Sequence, residues 1–307
     1  MEVNERTFEN PLDFLNFLSS WNNNLKNYVF RGHSSGDYQL VPSVLREDNR
    51  YIANAPFGKE INDPSIKNSN LEIMQIQSEF SLLRNFYKTA DRHGLKVPNS
   101  EYLRRYLAGA IDFNFMFSFS AGEKWIPAHL LEIAALAQHY GLPTRLLDWT
   151  YDPFVAAHFA LKGAIGRRDN LVVWCLNAGK ISDELNFNSD FPIKIVTPPY
   201  FDNENLSAQK GLFTHIETEI STAKLARDNL LVDRRPLDKF VANLPSNTLQ
   251  SDKNFMIKLV MPCKFALQAY ELLESHGYGE ARIYPGYDGI VRQVMRSLKP
   301  PIDLESK

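Results

Sequence analysis

The chain has 307 residues, of which 44% are hydrophobic and 12% aromatic, so it can build the core of one large domain or of two ordinary ones. Its formal net charge of −2 excludes a globally basic surface for coating nucleic acid, although a local basic patch stays compatible with it. There is no run of about 18 apolar residues, so no membrane contact is expected, and the first residues, MEVNERTFENP, lack the apolar region of a secretory signal.

In the first half of the chain, apolar spacing predicts a short amphipathic helix within residues 10–30, followed by a strand that ends at Gly32. Apolar side chains recur every three or four positions over 70–90 and 127–139, which predicts two helices. Residues 47–70 are polar and are predicted to be a loop insertion.

In the second half, Asp152 and Pro153 are suited to begin a helix, which we expect to end at Gly163. Apolar runs predict three strands: LVVWCL at 171–176, IKIVTPP at 193–199 and FMIKLVMP at 255–262. The segment KFALQAYELLESHG at 264–277 predicts a further helix that ends at its glycine. Residues 225–252 are polar and charged and are predicted to be a second loop insertion or flap.

Strands and helices do not alternate regularly along the chain. This order predicts an α+β fold, with a mixed or antiparallel sheet and several packed helices, rather than a doubly wound parallel sheet. Because no linker divides the chain, we expect a single domain with a core over about 12–297. Cys175 and Cys263 lie in apolar contexts far apart, which favours buried free thiols and a reducing, cytoplasmic location.

The segment QHYGLPTRLLDWTYDP, residues 138–153, has the highest density of chemically active side chains. Loops between rigid elements often carry functional residues. The candidates for contacting a ligand in this segment are His139, Tyr140, Arg145, Asp148 and Trp149. Two structural alternatives remain open. Arg145 and Asp148 can pair with each other and brace the turn, and His139 can simply stabilise the end of a helix.

A second candidate is VFRGH, residues 29–33, at the end of the first predicted strand. Arg31 can hold a phosphate or carboxylate in bidentate fashion, with His33 beside it. Gly32 permits a close backbone approach or a positive φ angle. The alternative is an arginine in a structural ion pair.

A third candidate is LSAQKGLFTHIETEI, residues 206–220, with Gln209 at its start. Glu217 and Glu219 can share one face of a strand and act in general acid–base catalysis, or they can form a solvated acidic surface. Glu79 is a rival catalytic carboxylate, but a charge on a helix surface is expected there.

Several motifs of known chemistry are absent from the sequence: GxxxxGK[ST], GxGxxG, HExxH, GxSxG and zinc-spaced Cys/His sets. No metal site is therefore predicted. A chance metal site would require His139, Asp148 and His158 to meet in the folded chain.

Five segments together resemble the FRG domain family: Phe30-Arg31-Gly32, HYGLPTRLLDWT at 139–150, PFVAAHFA at 153–160, SAQKGLF at 207–213 and IYPGYDGIV at 283–291. The resemblance runs from about residue 12 to about residue 297. It implies a bacterial or phage-borne protein from defence or toxin-like genes, and it implies that context more firmly than any reaction.

The first hypothesis for function is an enzyme similar to ADP-ribosyltransferases, acting on NAD, and it rests on analogy. Arg31 would bind the pyrophosphate or ribose side, and His139 or Tyr140 would contact the nicotinamide. Glu217 or Glu219 would stabilise the developing oxocarbenium ion. The acceptor would be a protein, a nucleic acid or water. The sequence indicates neither the oligomeric state nor a trigger.

Two other hypotheses remain. A nuclease or nucleic-acid binder would direct Arg31, Arg46, Arg145 and Lys210 at phosphates, stack a base on Tyr140 or Trp149, and use His139 with Asp148 for acid–base chemistry. A non-catalytic sensor of a small ligand or partner would instead bury Arg145 and Asp148 against each other, without an open cleft.

Overall fold

A computed structural model describes residues 3–19, 21, 25–46, 71–99, 101–108, 121–201, 203–221, 231–244 and 254–298. Strands β1 to β9 are Asn4–Thr7, Tyr28–His33, Ala121–Trp125, Leu147–Thr150, Asn170–Asn177, Ile193–Val196, Gly211–Ile216, Thr218–Ser221 and Met256–Pro262. Helices α1 to α10 are Pro11–Leu18, Leu71–Arg92, Leu131–His139, Pro153–Ala164, Ala178–Phe187, Glu204–Ala208, Leu237–Ala242, Ala266–Ser275, Glu280–Ile283 and Tyr287–Ser297. Shorter helical turns are Ser43–Leu45, Glu101–Leu103, Arg104–Ala108, Ala128–Leu130 and Cys263–Phe265.

Seven strands form one mixed sheet in the order β1-β9-β5-β2-β4-β7-β6. β1 and β9 are parallel, and the other neighbours in this sheet are antiparallel. β3 and β8 form a separate antiparallel pair. The α+β prediction is confirmed, because the sheet is mixed and mostly antiparallel and several helices accompany it.

Strand β5 lies inside the sheet, between β9 and β2, and is buried on both faces. Leu171, Val173 and Cys175 belong to the core under α1, α4 and α8, whereas Val172 and Trp174 belong to the core on the opposite face. This explains why its sequence is continuously apolar rather than alternating. Both cysteines are free and buried, as predicted.

Helix α4 packs directly onto β2. Asp152 caps its N-terminus, since the carboxylate accepts a hydrogen bond from the Phe154 amide at 3.1 Å. A Cβ added at Gly32 would lie 2.0 Å from the carbonyl oxygen of Ala156, so glycine is needed for close approach rather than for a positive φ. The predicted end of α4 at Gly163 is wrong: the helix continues to Ala164, and Gly163 lies against Ser34.

The predicted insertion at 47–70 lies outside the described residues. Within 225–252 the described part is 231–244, which contains α7. No helix among the ranges given above is both long and apolar enough to cross a membrane.

Candidate functional site

Arg31 lies where strands β2 and β4 separate. All six residues of β2 pair with β5, but β2 pairs with β4 only through Phe30 and Thr150. Beyond that pair, a side chain links the strands: Arg31 Nη1 donates to the carbonyl oxygen of Asp148 at 2.8 Å and approaches its carboxylate at 3.3 Å. The guanidinium therefore lies in the gap between two strands of the sheet.

His33 fixes the orientation of this guanidinium. Arg31 Nε donates to His33 Nε2 at 3.0 Å, so the imidazole proton must lie on Nδ1, which donates to the carbonyl oxygen of Tyr38 at 3.1 Å. Burial, together with the charge of Arg31, lowers the pKa of His33 to about 3, which keeps the ring neutral. His33 thus holds Arg31 in place and is itself buried.

Asp148 is oriented by Gln138, whose Nε2 donates to the two carboxylate oxygens at 3.3 Å. The amide is itself fixed, because its Oε1 accepts a hydrogen bond from Thr144 Oγ1 at 2.9 Å. The side chain of Asp148 is 52% exposed. The expected Arg145–Asp148 pair is therefore wrong: the basic partner of Asp148 is Arg31, 117 residues away in sequence.

An open cavity of about 510 Å³ adjoins this group, and we call it the Arg31–Asp148 cavity. Its lining comes from β2, β4, α3, α4, α6 and β7. The members with polar or aromatic side chains are Phe30, Arg31, Gln138, His139, Tyr140, Asp148, Trp149, Thr150, Phe159, Asn205, Gln209, Phe213 and Tyr284. The three candidate segments of the sequence, 29–33, 138–153 and 206–220, therefore all contribute to one concave site.

His139 is half-buried at the end of α3, and within the described part of the chain neither of its ring nitrogens has a hydrogen-bond partner. Burial lowers its pKa, and the nearby Asp148 opposes that shift. The neighbouring Tyr140 is 69% exposed and packs edge-on against the imidazole. Both residues line the Arg31–Asp148 cavity.

Arg145 does not line the cavity and lies in a buried ionic cluster. Its Nε donates to Glu79 at 2.8 Å, and its Nη1 lies 2.6 Å from Glu72. Nη1 also donates to Thr218 Oγ1 at 3.0 Å. The carboxylate of Glu79 accepts a further hydrogen bond from Trp125 Nε1 at 2.6 Å. The expectation that Glu79 is a helix-surface charge is therefore wrong, since it is 3% exposed. Arg145 is buried as the sensor hypothesis required, but its partners differ from the expected Asp148, and the described part of the protein does contain an open cavity.

Glu217 and Glu219 lie apart from Arg31 and do not line the Arg31–Asp148 cavity. Glu217 follows β7 and is paired with Lys124 at 3.1 Å and Lys194 at 3.5 Å. Glu219 is exposed on β8, in register with Lys124.

Two further candidates border the cavity but serve the fold. Trp149 is 3% exposed, and its Nε1 donates to Thr214 Oγ1 at 2.9 Å, so its ring is not available for stacking. The side-chain amide of Gln209 donates to the carbonyl oxygen of Ile283 at 3.2 Å and ties the C-terminal segment to the cavity. Lys210 pairs with Asp152 at 3.0 Å, away from Arg31.

The trio of His139, Asp148 and His158 does not assemble. His158 is fully buried, and its Nδ1 donates to the carbonyl oxygen of Tyr278 at 3.0 Å. Across the residues that the structure describes, no group of three His, Cys, Asp or Glu side chains could hold a metal ion.

Sequence reasoning missed seven of the polar or aromatic lining residues as site members, and Gln138, Phe159 and Tyr284 are the three of these with a clear part in the cavity's geometry. Gln138 directly precedes His139, and the other two lie in segments that resemble the family. Phe159 and Tyr284 pack edge-on, with ring centroids 6.4 Å apart, and form an aromatic wall between α4 and the C-terminal segment.

The family model of the FRG domain matches residues 26–168. That range includes Arg31, His139, Asp148 and the whole of α4, whereas Gln209 and Tyr284 lie beyond it. No curated protein and no solved structure matches the chain. Residues 26–168, just under half of the chain, therefore match the FRG domain family.

Proposed function

We propose that this protein binds NAD in the Arg31–Asp148 cavity and cleaves it, as an ADP-ribosyltransferase or an NAD glycohydrolase. One observation carries the proposal: a positioned guanidinium, a carboxylate and a half-buried histidine meet in a single open cavity. Its volume of about 510 Å³ falls within the range of small-molecule sites.

Arg31 is the anchor for the pyrophosphate. Its Nε and Nη1 are bonded to His33 and Asp148, whereas its Nη2 has no hydrogen-bond partner in the described ranges. A guanidinium held in this way loses little freedom when a phosphate oxygen binds to the remaining amino group. The exposed ring of Tyr140 and the wall of Phe159 and Tyr284 offer faces on which the nicotinamide or adenine can stack.

Asp148 is the carboxylate that stabilises the transition state. When the bond between the ribose C1′ and the nicotinamide nitrogen breaks, its electron pair moves to the ring, and positive charge develops on the ribose. A carboxylate fixed by Gln138 and Arg31 stabilises that charge without reorganising. In this proposal Asp148 has the role that the sequence suggested for Glu217 or Glu219.

His139 is the general base for the acceptor. Burial lowers its pKa and favours the neutral ring, which takes the proton from an attacking hydroxyl, amine or water as the new bond to C1′ forms. The products are nicotinamide, a proton, and either an ADP-ribosylated acceptor or free ADP-ribose. A protein or nucleic-acid acceptor is part of the proposal.

The test is nicotinamide release from NAD by the purified full-length chain, alone and with cell lysate to supply acceptors. We expect Arg31→Ala to raise the KM for NAD, and Asp148→Asn to lower kcat by about 100-fold or more. Arg104→Ala is the matched control, because Arg104 is exposed and paired with Asp91. Absence of release in both tubes, or release that survives Asp148→Asn, would refute the proposal.

A nuclease is the second candidate, because His139 and Asp148 accompany Arg31 while Glu217 and Glu219 lie elsewhere. Cleavage of a single-stranded RNA or DNA that requires His139, without consumption of NAD, would favour it. The defence role implied by the family resemblance stays a prediction. Growth arrest upon expression of the wild type but not of Arg31→Ala would support it.

A further inference from the structure

Helix α10, Tyr287–Ser297, presents its apolar side chains to solvent. They recur at spacings of three and four, so they form one stripe along the helix and the residue that follows it. The members of this stripe are Tyr287, Ile290, Val291, Val294, Met295 and Leu298. Each is between 50% and 88% exposed. We call this surface the α10 stripe, and a contiguous apolar surface of this kind marks an interaction site.

The opposite face of α10 is polar and is held against the rest of the protein. A Cβ added at Gly289 would lie 1.8 Å from a main-chain carbonyl oxygen of the segment before the helix, so only glycine permits this approach. Gln293 Oε1 accepts a hydrogen bond from a main-chain amide of α9 at 3.0 Å. Arg296 Cζ lies 3.5 Å from the centre of the Tyr270 ring. These contacts fix the rotation of α10 about its own axis, so the α10 stripe cannot turn toward the core.

The α10 stripe has the same spacing when it is read from either end. Its six positions are symmetric about the midpoint between residues 292 and 293. We therefore consider two copies of α10 that lie antiparallel across a two-fold axis at this midpoint. The facing pairs, one member from each copy, are then Tyr287 with Leu298, Ile290 with Met295, and Val291 with Val294. Every apolar side chain meets an apolar side chain, which is the self-complementarity that a two-fold contact between identical chains requires.

The spacing within the α10 stripe also fits the packing of one helix on another. Positions 287, 291, 294 and 298 are separated by four, three and four residues, which is the spacing of a coiled-coil seam. Positions 290 and 295 widen this seam on its two sides.

The charged neighbours of the α10 stripe agree with the antiparallel arrangement. Asp288 and Arg292 are four residues apart and lie on the same flank of the stripe. Because the two-fold axis brings equal flanks together, the carboxylate of each copy faces the flank that carries the guanidinium of the other. The two helix dipoles are then also opposed. A lipid surface suits this helix less well, since Asp288 would face anionic headgroups.

We propose that α10 is a homodimer interface, in which a second copy of this chain covers the α10 stripe in antiparallel orientation. Val291 and Val294 lie at the centre of the interface. This interface goes beyond the proposed NAD chemistry and does not depend on it.

The test is size-exclusion chromatography with light scattering on the full-length chain at about 100 μM, a concentration at which a dimer with a micromolar dissociation constant is associated. We expect a dimer for the wild type and monomers for Val291→Glu and Val294→Lys, since each places unpaired charges in an apolar contact. The dissociation constant should rise at least about 100-fold in each variant. Phe187→Glu is the matched control, because Phe187 is an exposed apolar residue at the end of α5 and lies outside the α10 stripe. Thermal melts check that each variant is folded.

An equimolar mixture of Val291→Glu and Val294→Lys tests the antiparallel register. In the mixed dimer the new glutamate faces the new lysine, and the other central pair keeps both valines, so the dimer should form again. A parallel pair of helices would not recover, because position 291 would then face position 291.

The proposal is overturned if the wild type is monomeric, if Phe187→Glu dissociates the dimer as Val291→Glu does, or if the mixture stays monomeric. A monomeric wild type that sediments with phosphatidylserine vesicles would assign the α10 stripe to a lipid surface instead. Because no NAD is present, these results and the outcome of the NAD assay are independent.

Discussion

Replacing Arg145 with alanine is expected to destabilise the protein rather than to disable the cavity directly. The substitution removes the positive partner of Glu72 and Glu79, whose side chains are only 3% and 4% exposed. It also removes the hydrogen bond to Thr218. Two carboxylates would then remain in the core with no positive charge between them, which costs far more than a lost surface ion pair.

The size of the effect follows from this geometry. Breaking a buried ion pair by removing one partner costs about 3–5 kcal/mol. An unfolding entropy of about 2.1 cal/mol/K per residue gives about 0.6 kcal/mol/K for a chain of 307 residues. The melting temperature should therefore fall by about 5–8 °C. For the exposed Arg104→Ala, whose partner Asp91 lies at 3.4 Å, we expect a loss of at most about 1 kcal/mol.

The deficit of Arg145→Ala should also depend on pH. Burial already raises the pKa of Glu72, and Arg145 opposes that shift, so its loss raises the pKa in the folded state further. A carboxylate with a raised folded pKa binds more protons in the folded state, so the deficit grows as pH rises through the folded pKa of Glu72 in the wild type, which itself lies above the ordinary value, and the deficit is smaller at pH 5 than at pH 7. Urea unfolding at both pH values measures it. A variant that unfolds like the wild type at pH 7, or whose deficit is larger at pH 5, would refute this reasoning.

Three further predictions concern the fold around the cavities. Gly32→Ala should cost about 2 kcal/mol or more, because its Cβ would lie 2.0 Å from a carbonyl oxygen of α4, whereas Gly36→Ala, with 3.5 Å to its nearest neighbour, should be close to neutral in urea unfolding. Asp152→Ala should cost about 1–2 kcal/mol through loss of the cap of α4, and Asp152→Asn, which keeps an accepting oxygen, should melt closer to the wild type. Burial lowers the pKa of His158 to about 4 and that of His215 to about 3. Below about pH 6.5 the unfolded state therefore binds more protons than the folded state. Each histidine then lowers the free energy of unfolding by about 1.4 kcal/mol per pH unit between about pH 6.5 and 4.5. The free energy of unfolding, measured against pH, should fall less steeply for His158→Gln than for the wild type; an unchanged slope would contradict the neutral, buried histidine.

Local patterns were enough to find the long helices and the central strands. Helix α2 has an apolar repeat over six turns, and β5 is a continuous apolar run, so both were predicted with nearly correct bounds. Strands β1 and β4 were not predicted. β1 is a charged tetrapeptide, NERT, that is in strand form because it pairs with β9 about 250 residues later. β4 was interpreted as part of a turn, and it exists through its pairing with β2 and β7.

The site was predictable where its residues lie in segments with many reactive side chains. Arg31, His139 and Asp148 lie in segments dense in reactive side chains, and the structure brings them into one cavity. The role of Arg145 was not predicted, because its partners Glu72 and Glu79 lie 73 and 66 residues earlier. A signal did exist: both glutamates share the face of α2 that carries its buried apolar side chains, and a carboxylate there requires a buried cation.

Arg31 and Arg145 show that the burial of its carboxylate partners decides whether an arginine is accessible to a ligand. Arg145 is enclosed by two buried carboxylates and is 4% exposed, so its charge is matched within the core and a ligand cannot reach it. Arg31 has a single carboxylate partner that is itself half exposed, and its Nε is bonded to a neutral histidine. Its neighbours set this position, since Phe30 is buried in the core and Gly32 lets α4 approach the strand. The Phe-Arg-Gly triplet thus places one charged group, fixed by the fold and paired with a half-exposed carboxylate, at the border of two cavities.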